Sequence, residues 1–254
     1  DYLIDYNWVV GGAFGYADSQ VDFKQVENIV VDGGVESDGL SIMPFVLYQG
    51  DQFFSSVSLG YQNMSFTNNR AIKYPSLNPD VSSTNTRADS DTDSDTWTLY
   101  ATAGYDFNFN EFQIEPYLSA NYLDITIDEF TERDIFNDGF NLNVDKQSFN
   151  FSEGTLGTKA TYTFSTSYGV ISAYMDLEWH TLFDNDSRVI DASYQEVSAV
   201  VSPSSVRFQV ETDELDQDYF TYAVGVVTVL PYNFQAYLAW NTVEDLENYS
   251  QDVV

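Results

Sequence analysis

His180 is the one histidine of the chain. Asp176 and Glu178 precede it at spacings of two residues. Side chains of a β-strand alternate between faces, so positions i, i+2 and i+4 share one side. A histidine beside two carboxylates has two chemistries open to it. One is acid–base work, with the imidazole as proton carrier and a carboxylate as orienter. The other is a metal site of one histidine and two carboxylates. The plainer reading is a hydrated wall of mixed polar groups, since no serine nucleophile stands in a recognisable motif. A second constellation is DSDTDSD, with Asp89, Asp91, Asp93 and Asp95 alternating. Alternating carboxylates suit a hard cation such as Ca²⁺. Counted from Asp89, however, the sixth and twelfth positions of an EF-hand loop hold Ser94 and Tyr100 instead of glycine and glutamate. The expectation there is a solvated acidic loop, and no metal or cofactor is assigned. A third set is Asp106, Glu115 and Lys159, which fall on the polar side of alternating stretches.

Those stretches are the elements that must position the side chains. Residues 96–109 place Trp97, Leu99, Ala101, Ala103 and Tyr105 on one face and Thr98, Tyr100, Thr102, Gly104 and Asp106 on the other. After Asn110-Glu111 the alternation resumes over 112–131, with Glu115 on the polar side. Pairs of the same kind are read at 39–49 with 53–73, 149–166 with 168–184, and 218–230 with 233–245. A further strand covers 7–23, partial strands lie at 1–6 and from about 249, and Gly11, Gly15, Gly60, Gly104, Gly157 and Gly225 recur along them. Glycine inside a strand often marks close approach of a neighbour.

The connections are of two kinds. Those at Asp51-Gln52, Asn110-Glu111, Ser167 and Pro231-Tyr232 are tight, and those at 24–38, 74–95, 132–148 and 185–217 are long and polar. The two kinds alternate along the chain, so an up-and-down barrel carries all short turns at one end and all long loops at the other. Outer-membrane barrels show that asymmetry. A soluble sandwich has no reason to segregate its loops. Strand 53–73 is longer than the ~9–11 residues of a tilted crossing, which points to hairpins projecting beyond the membrane.

Composition agrees. Hydrophobic residues make up 43% of 254, and there is no apolar run of helical membrane-span length. Aromatic content is high, with 19 Tyr and 19 Phe, and such rings favour membrane–water boundaries. Nine Lys and Arg stand against 40 Asp and Glu, a net charge of −31. That excludes nucleic acid as a partner, because its phosphates require basic residues. There is no cysteine, hence no disulfide and no thiolate chemistry.

The expected fold is therefore all-β, a transmembrane antiparallel up-and-down β-barrel of the outer-membrane type. Polar groups line its lumen and apolar groups meet lipid, which satisfies the backbone within a bilayer. Asp106, Glu115, Lys159, Asp176, Glu178 and His180 are expected to face the lumen, and Trp8, Trp97, Trp179 and Trp240 the lipid. The lumen carboxylates either bias a pore toward cations or hydrogen-bond across the barrel, with Lys159 as partner.

The sequence also resembles the autotransporter (type V secretion) translocator β-domain family. DYLIDYNWVVGGAFGYADSQVDF is similar to that family's early hairpin, and VSLGYQNMSFTNNRAIKY to the long hairpin after it. GTLGTKATYTFSTSYGVISAYMDLEWHTLFDNDSR resembles the pair in which a glycine-containing strand precedes a Trp-His stretch. DYFTYAVGVVTVLPYNFQAYLAWNTVEDLENYS resembles the penultimate hairpin. The motifs keep their order over nearly the whole chain. One departure is Thr181, where the family usually has an acidic residue after the Trp-His pair.

The resemblance implies a barrel of about 12 strands when complete, so residues 1–254 are expected to form a single domain lacking the first strand and most of the last. A pore helix is expected before Asp1 and an aromatic-ended strand after Val254. The implied function is to anchor and export an N-terminal passenger, with no enzyme activity. Its location is the bacterial outer membrane, with the long loops at the cell surface. Implied partners are outer-membrane lipid and lipopolysaccharide, the barrel assembly machinery, and the chain's own passenger or an envelope partner. Rivals are a passenger-free cation-preferring porin or structural component of an envelope complex, an outer-membrane protease or lipase centred on His180, and a soluble barrel.

Overall fold

The computed structural model of the chain describes residues 2–23, 33–74, 76–80, 82–134, 141–184, 187–195, 207–212, 214, 216–244 and 252–253. These are nearly all strand: β1 (Tyr2–Asp5), β2 (Trp8–Phe23), β3 (Gly33–Gln49), β4 (Phe53–Tyr74), β5 (Thr84–Tyr105), β6 (Phe107–Phe109), β7 (Phe112–Ile127), β8 (Phe130–Thr131), β9 (Arg133–Asp134), β10 (Leu142–Val144), β11 (Gln147–Thr166), β12 (Gly169–Leu182), β13 (Val189–Tyr194), β14 (Arg207–Glu211), β15 (Asp218–Leu230), β16 (Phe234–Glu244) and β17 (Asp252–Val253). The main sheet runs β1-β2-β3-β4-β5-β7-β11-β12-β15-β16-β17, with β6 beside β7 and β9 beside β5. Its neighbours are antiparallel. The result is an up-and-down sheet curled into a half-barrel.

Tight reversals join β3 to β4, β6 to β7, β11 to β12 and β15 to β16. Asn110 and Tyr232 take positive φ there, at 56° and 66°. Gly169 opens β12 at φ 146°, and a Cβ on it would lie 2.2 Å from the Val229 carbonyl oxygen. Only glycine fits that corner.

Two strands start earlier than the sequence suggests, β3 at Gly33 and β5 at Thr84. Residues 84–95 are therefore ladder and not loop, paired with β4 from Tyr74↔Thr84 onward. The alternation is polar on both faces there, so no apolar period marks the strand. This corrects the expected acidic loop: Asp89, Asp91, Asp93 and Asp95 share one face of β5. Ser65 and Thr67 donate to Asp93 and Asp91 at 2.7 and 2.9 Å, and Asn63 donates to Asp95 at 3.0 Å. Hydrogen bonds from Tyr61 and then Asn63 hold the Asp95 carboxyl below its ordinary range. Alternate strand positions stand roughly 7 Å apart, a ladder and not a coordination shell. Among the described residues no three His, Cys, Asp or Glu side chains are grouped to hold a metal.

The stretches 132–148 and 185–217, expected as plain loops, contribute to a second sheet of order β14-β13-β10-β8. Residues 135–140, 185–186, 196–206, 213 and 215 of those stretches lie outside the described residues, as does the strand start near 249. The small sheet is tied to the barrel wall by Arg70 of β4. Its Nε and Nη2 donate to Glu132 at 2.9 and 2.6 Å, and Glu132 in turn accepts from the Leu142 amide at 3.0 Å. Arg188 covers the Phe149 ring, 4.6 Å from its centroid. The buried apolar side chains among the described residues, Ile72, Ala88, Val144, Leu182 and Ala192, all lie at this end. Arg70→Ala leaves Glu132 buried without its bidentate partner. The expected cost is on the order of 2 kcal/mol, below that of a fully buried pair because Arg70 is partly exposed. Proteinase K applied to the purified, folded chain should then cleave within 129–145 several-fold faster, with the main sheet preserved.

Elsewhere the usual order of inside and outside is reversed. No large side chain is fully buried among the described residues, while Phe14, Leu118 and Leu238 are 83%, 63% and 68% exposed. The accessible surface is 17250 Å², against about 11,000 Å² for a compact globular chain of this mass. Many of the exposed apolar groups form a belt on one face, with Val57, Leu59, Leu99, Leu156 and Met175 at mid-strand. Toward the tight turns the belt ends in aromatic contacts, Trp8 with Tyr48 at 4.9 Å and Tyr105 with Phe107 at 4.8 Å. Toward the other end it closes with Tyr61 against Trp97 at 4.8 Å. Beyond that pair the same face becomes the aspartate ladder. In water such a belt is an aggregation hazard. In a bilayer it is the lipid-facing surface of a barrel with its two aromatic girdles.

Candidate functional site

The opposite face is polar, and the register fixes which of its residues meet. Across β7, β11, β12, β15 and β16, one row reads Glu115, Lys159, Asp176, Ala223, Asn241. The next row toward the loop end reads Tyr117, Gly157, Glu178, Thr221, Val243, and the one after it Ser119, Thr155, His180, Tyr219. Five of the sequence-derived residues, Glu115, Lys159, Asp176, Glu178 and His180, thus stand together. Asp106 sits apart, between β5 and β6, where Gln49 donates to its Oδ2 at 3.3 Å. Trp8, Trp97, Trp179 and Trp240 are on the belt face, paired with Tyr48, Tyr61, Phe220 and Val224.

Glycine lets the network reach across strands. The Tyr117 ring lies over Gly157, where a Cβ would be 2.2 Å from its Cζ. From there its hydroxyl reaches Glu178 at 2.6 Å and Asp176 at 3.0 Å, two strands away. Phe54 lies over Gly104 and Tyr174 over Gly225 in the same manner. Lys159 Nζ stands 5.1 Å from the Tyr174 centroid, a cation–π contact.

His180 is 8% exposed and satisfied at both nitrogens. Nδ1 faces the Thr155 hydroxyl at 3.1 Å and Glu153 at 3.3 Å, and Nε2 faces the Thr221 hydroxyl at 2.9 Å. Its ring stacks on Tyr219, centroids 4.4 Å apart, and the Tyr219 hydroxyl donates to Glu153 at 2.6 Å. The order Thr221–His180–Glu153 matches the hydroxyl–imidazole–carboxylate arrangement of a nucleophilic hydrolase. Two features work against that chemistry. The Thr221 hydroxyl donates to Glu178 at 2.6 Å, so its proton is engaged away from the imidazole. Thr221 also lies mid-strand between β12 and β16, where backbone amides serve the ladder and are not free to form an oxyanion hole. The arrangement is a tied polar wall.

Glu153, Thr155, Tyr117, Tyr219 and Thr221 also build that wall, and the sequence around His180 does not single them out. The period-two alternation contains them all. What it lacks is the pairing register, which sets Glu153 and Tyr219 on either side of the histidine.

Residues 1–241 match the family model described as Autotransporter beta-domain. No curated protein matches the chain. Among solved structures it is similar to the translocator domain of the autotransporter NalP from Neisseria meningitidis, with a TM-score of 0.65 and 12% identity over 98% of this chain and 73% of that one. It is also similar to the β-domain of the Bordetella autotransporter BrkA, with a TM-score of 0.53 and 17% identity over 93% of this chain and 76% of that one. At such identities the likeness is one of fold.

Proposed function

Because the chain belongs to the autotransporter β-domain family, we propose that it anchors an N-terminal passenger in the outer membrane and exports it, with the polar face lining the passage. The observation that supports this most directly is the reversal of the two faces. An exposed apolar belt between aromatic girdles suits lipid. A hydrogen-bonded polar face suits a hydrated interior.

On this reading Asp106, Glu115, Lys159, Asp176, Glu178 and His180 are lumen residues, and Trp8, Trp97, Trp179 and Trp240 meet lipid. The aspartate ladder and the small sheet stand beyond the membrane at the cell surface. Lipid, lipopolysaccharide and the barrel assembly machinery are the surroundings and partners that such a barrel requires.

A reporter passenger fused ahead of Asp1, behind a signal peptide and with whatever chain naturally precedes this domain, tests the proposal. Surface exposure of the reporter to protease in intact cells is the expected result. A reporter retained in the periplasm beside a normally folded barrel would remove the export function. The wall residues serve structure on this account and perform no catalysis. His180→Gln should therefore leave reporter display within about twofold of the parent, measured by antibody binding to intact cells.

A further inference from the structure

The polar face changes character beyond His180. Val21 stands fourteen residues past Asn7, Phe66 fourteen past Gln52, Ile125 fourteen past Glu111 and Leu182 fourteen past Tyr168. Each reference residue closes a tight turn, so the four apolar side chains stand at one height on outgoing strands. All four lie on the polar face. On β7 Ile125 shares the parity of Tyr117, and on β12 Leu182 shares that of His180. Phe66 is set there by its pairing with Thr92 of β5, and Val21 by its pairing with Val35, itself opposite Asn68. Leu182 is buried, Phe66 and Ile125 are half-buried, and Val21 is exposed.

The same face adds Leu123 and Phe151, which pair with each other. The returning strands are more polar at this height, with Ser37, Thr96 and Glu153. Ser37 and Thr96 are short, and Glu153 is engaged by His180 and Tyr219. The long side chains left to fill the passage are therefore apolar. The outer face inverts as well, with Thr67 and Thr126 paired to Asp91 and Asp95 of the aspartate ladder. Lipid thus accounts for the belt and not for these inner groups. The path of the main sheet has eleven strands, its thirteen less β6 and β9. That lies between the ~8 strands whose side chains fill a barrel and the ~16 that leave an aqueous channel. In a neck of that width lined by Phe, Ile and Leu, water loses hydrogen bonds and an ion loses hydration.

We propose that Phe66, Ile125, Leu182 and their apolar neighbours form a constriction that keeps the loop-end mouth of the passage dry and closed to hydrated ions, so that the acidic lumen beneath it does not leak. This rests on the translocator reading only in taking the polar face as the lining of a passage.

The test measures conductance of the purified full chain in planar lipid bilayers bathed in KCl. The parent should conduct little. Ile125→Asn combined with Phe66→Asn should raise the conductance about fivefold or more and favour K⁺ over Cl⁻, because the wall beneath is acidic. Thr126→Asn, next along the strand but on the outer face, should leave it low. Each variant is first checked for native heat-modifiable migration, and Phe151→Ser is an independent opening should the double variant not fold. A parent that conducts as freely as its variants overturns the inference. So do folded variants that stay closed and lose only stability to urea, since the apolar groups then serve packing alone. Reporter display in cells, measured alongside, separates the two ideas. Normal display by a freely conducting parent removes the constriction and keeps the translocator. A closed parent, open variants and absent display keep the constriction in a barrel that exports nothing.

Discussion

Gly157→Leu should prevent the barrel wall from closing over Tyr117. A Cβ at that position meets the Tyr117 ring at 2.2 Å and its hydroxyl at 2.6 Å. The ring cannot slide aside cheaply, because its hydroxyl is held by Glu178 and Asp176. Displacing it adds the cost of overpacking, up to about 3 kcal/mol, to the loss of hydrogen bonds to charged groups, about 1.5–3 kcal/mol each. The sum is a large share of the stability of any single domain. Urea unfolding of the purified barrel in detergent checks the magnitude, and the fraction of heat-modifiable protein in membranes checks assembly. A double variant makes the argument specific. With Tyr117→Ala in place, Gly157→Ala should cost little, because the ring that occupied the space is gone. If Gly157→Ala costs the same with and without the tyrosine, ring and glycine are not coupled, and the account of this wall fails.

Met175→Arg should be the most damaging substitution on the apolar belt. Met175 is 45% exposed and paired with Ala160 and Val224 midway along β12. A surface arginine at such exposure in a soluble protein changes stability little. At the midplane of a bilayer it costs roughly 2–4 kcal/mol, falling toward zero near the interfaces. Thr181→Arg lies on the same face beyond Trp179 and should be tolerated. The comparison is made by folding into lipid vesicles, with the difference between the two sites as the readout. Equal costs at 175 and 181 would mean that the belt is not immersed.

Most of the main sheet was legible because its chemistry alternates. Lipid on one side and water on the other impose a period of two on every crossing strand. The pairs 96–109 with 112–131 and 218–230 with 233–245 follow from that period and the residues at their turns. The first part of β5 was not legible for the same physical reason. Above the belt both faces of a hairpin are wet, so Thr84–Asp95 carries no apolar period, and its aspartates read as loop. The small sheet was hidden differently. Its strands are short, separated in sequence and stabilised by pairing across long connections. Local patterns cannot report such pairing. At the polar wall, alternation placed Asp176, Glu178 and His180 on one side but could not say what lay opposite them. Register supplied Tyr117, Glu153, Tyr219 and Thr221 and turned a candidate acid–base cluster into a satisfied wall.

On the translocator reading, odd-numbered residues of β12 meet lipid and even-numbered ones meet water. The chain has no cysteine, so single cysteines at 171 through 178 can be read without background. Each variant, folded in the outer membrane, is exposed to a hydrophilic thiol reagent small enough to enter the lumen. Labelling is expected at 172, 174, 176 and 178, with protection at 171, 173, 175 and 177 that yields only to a lipid-soluble reagent. Labelling without that alternation, or with its phase inverted, would contradict it.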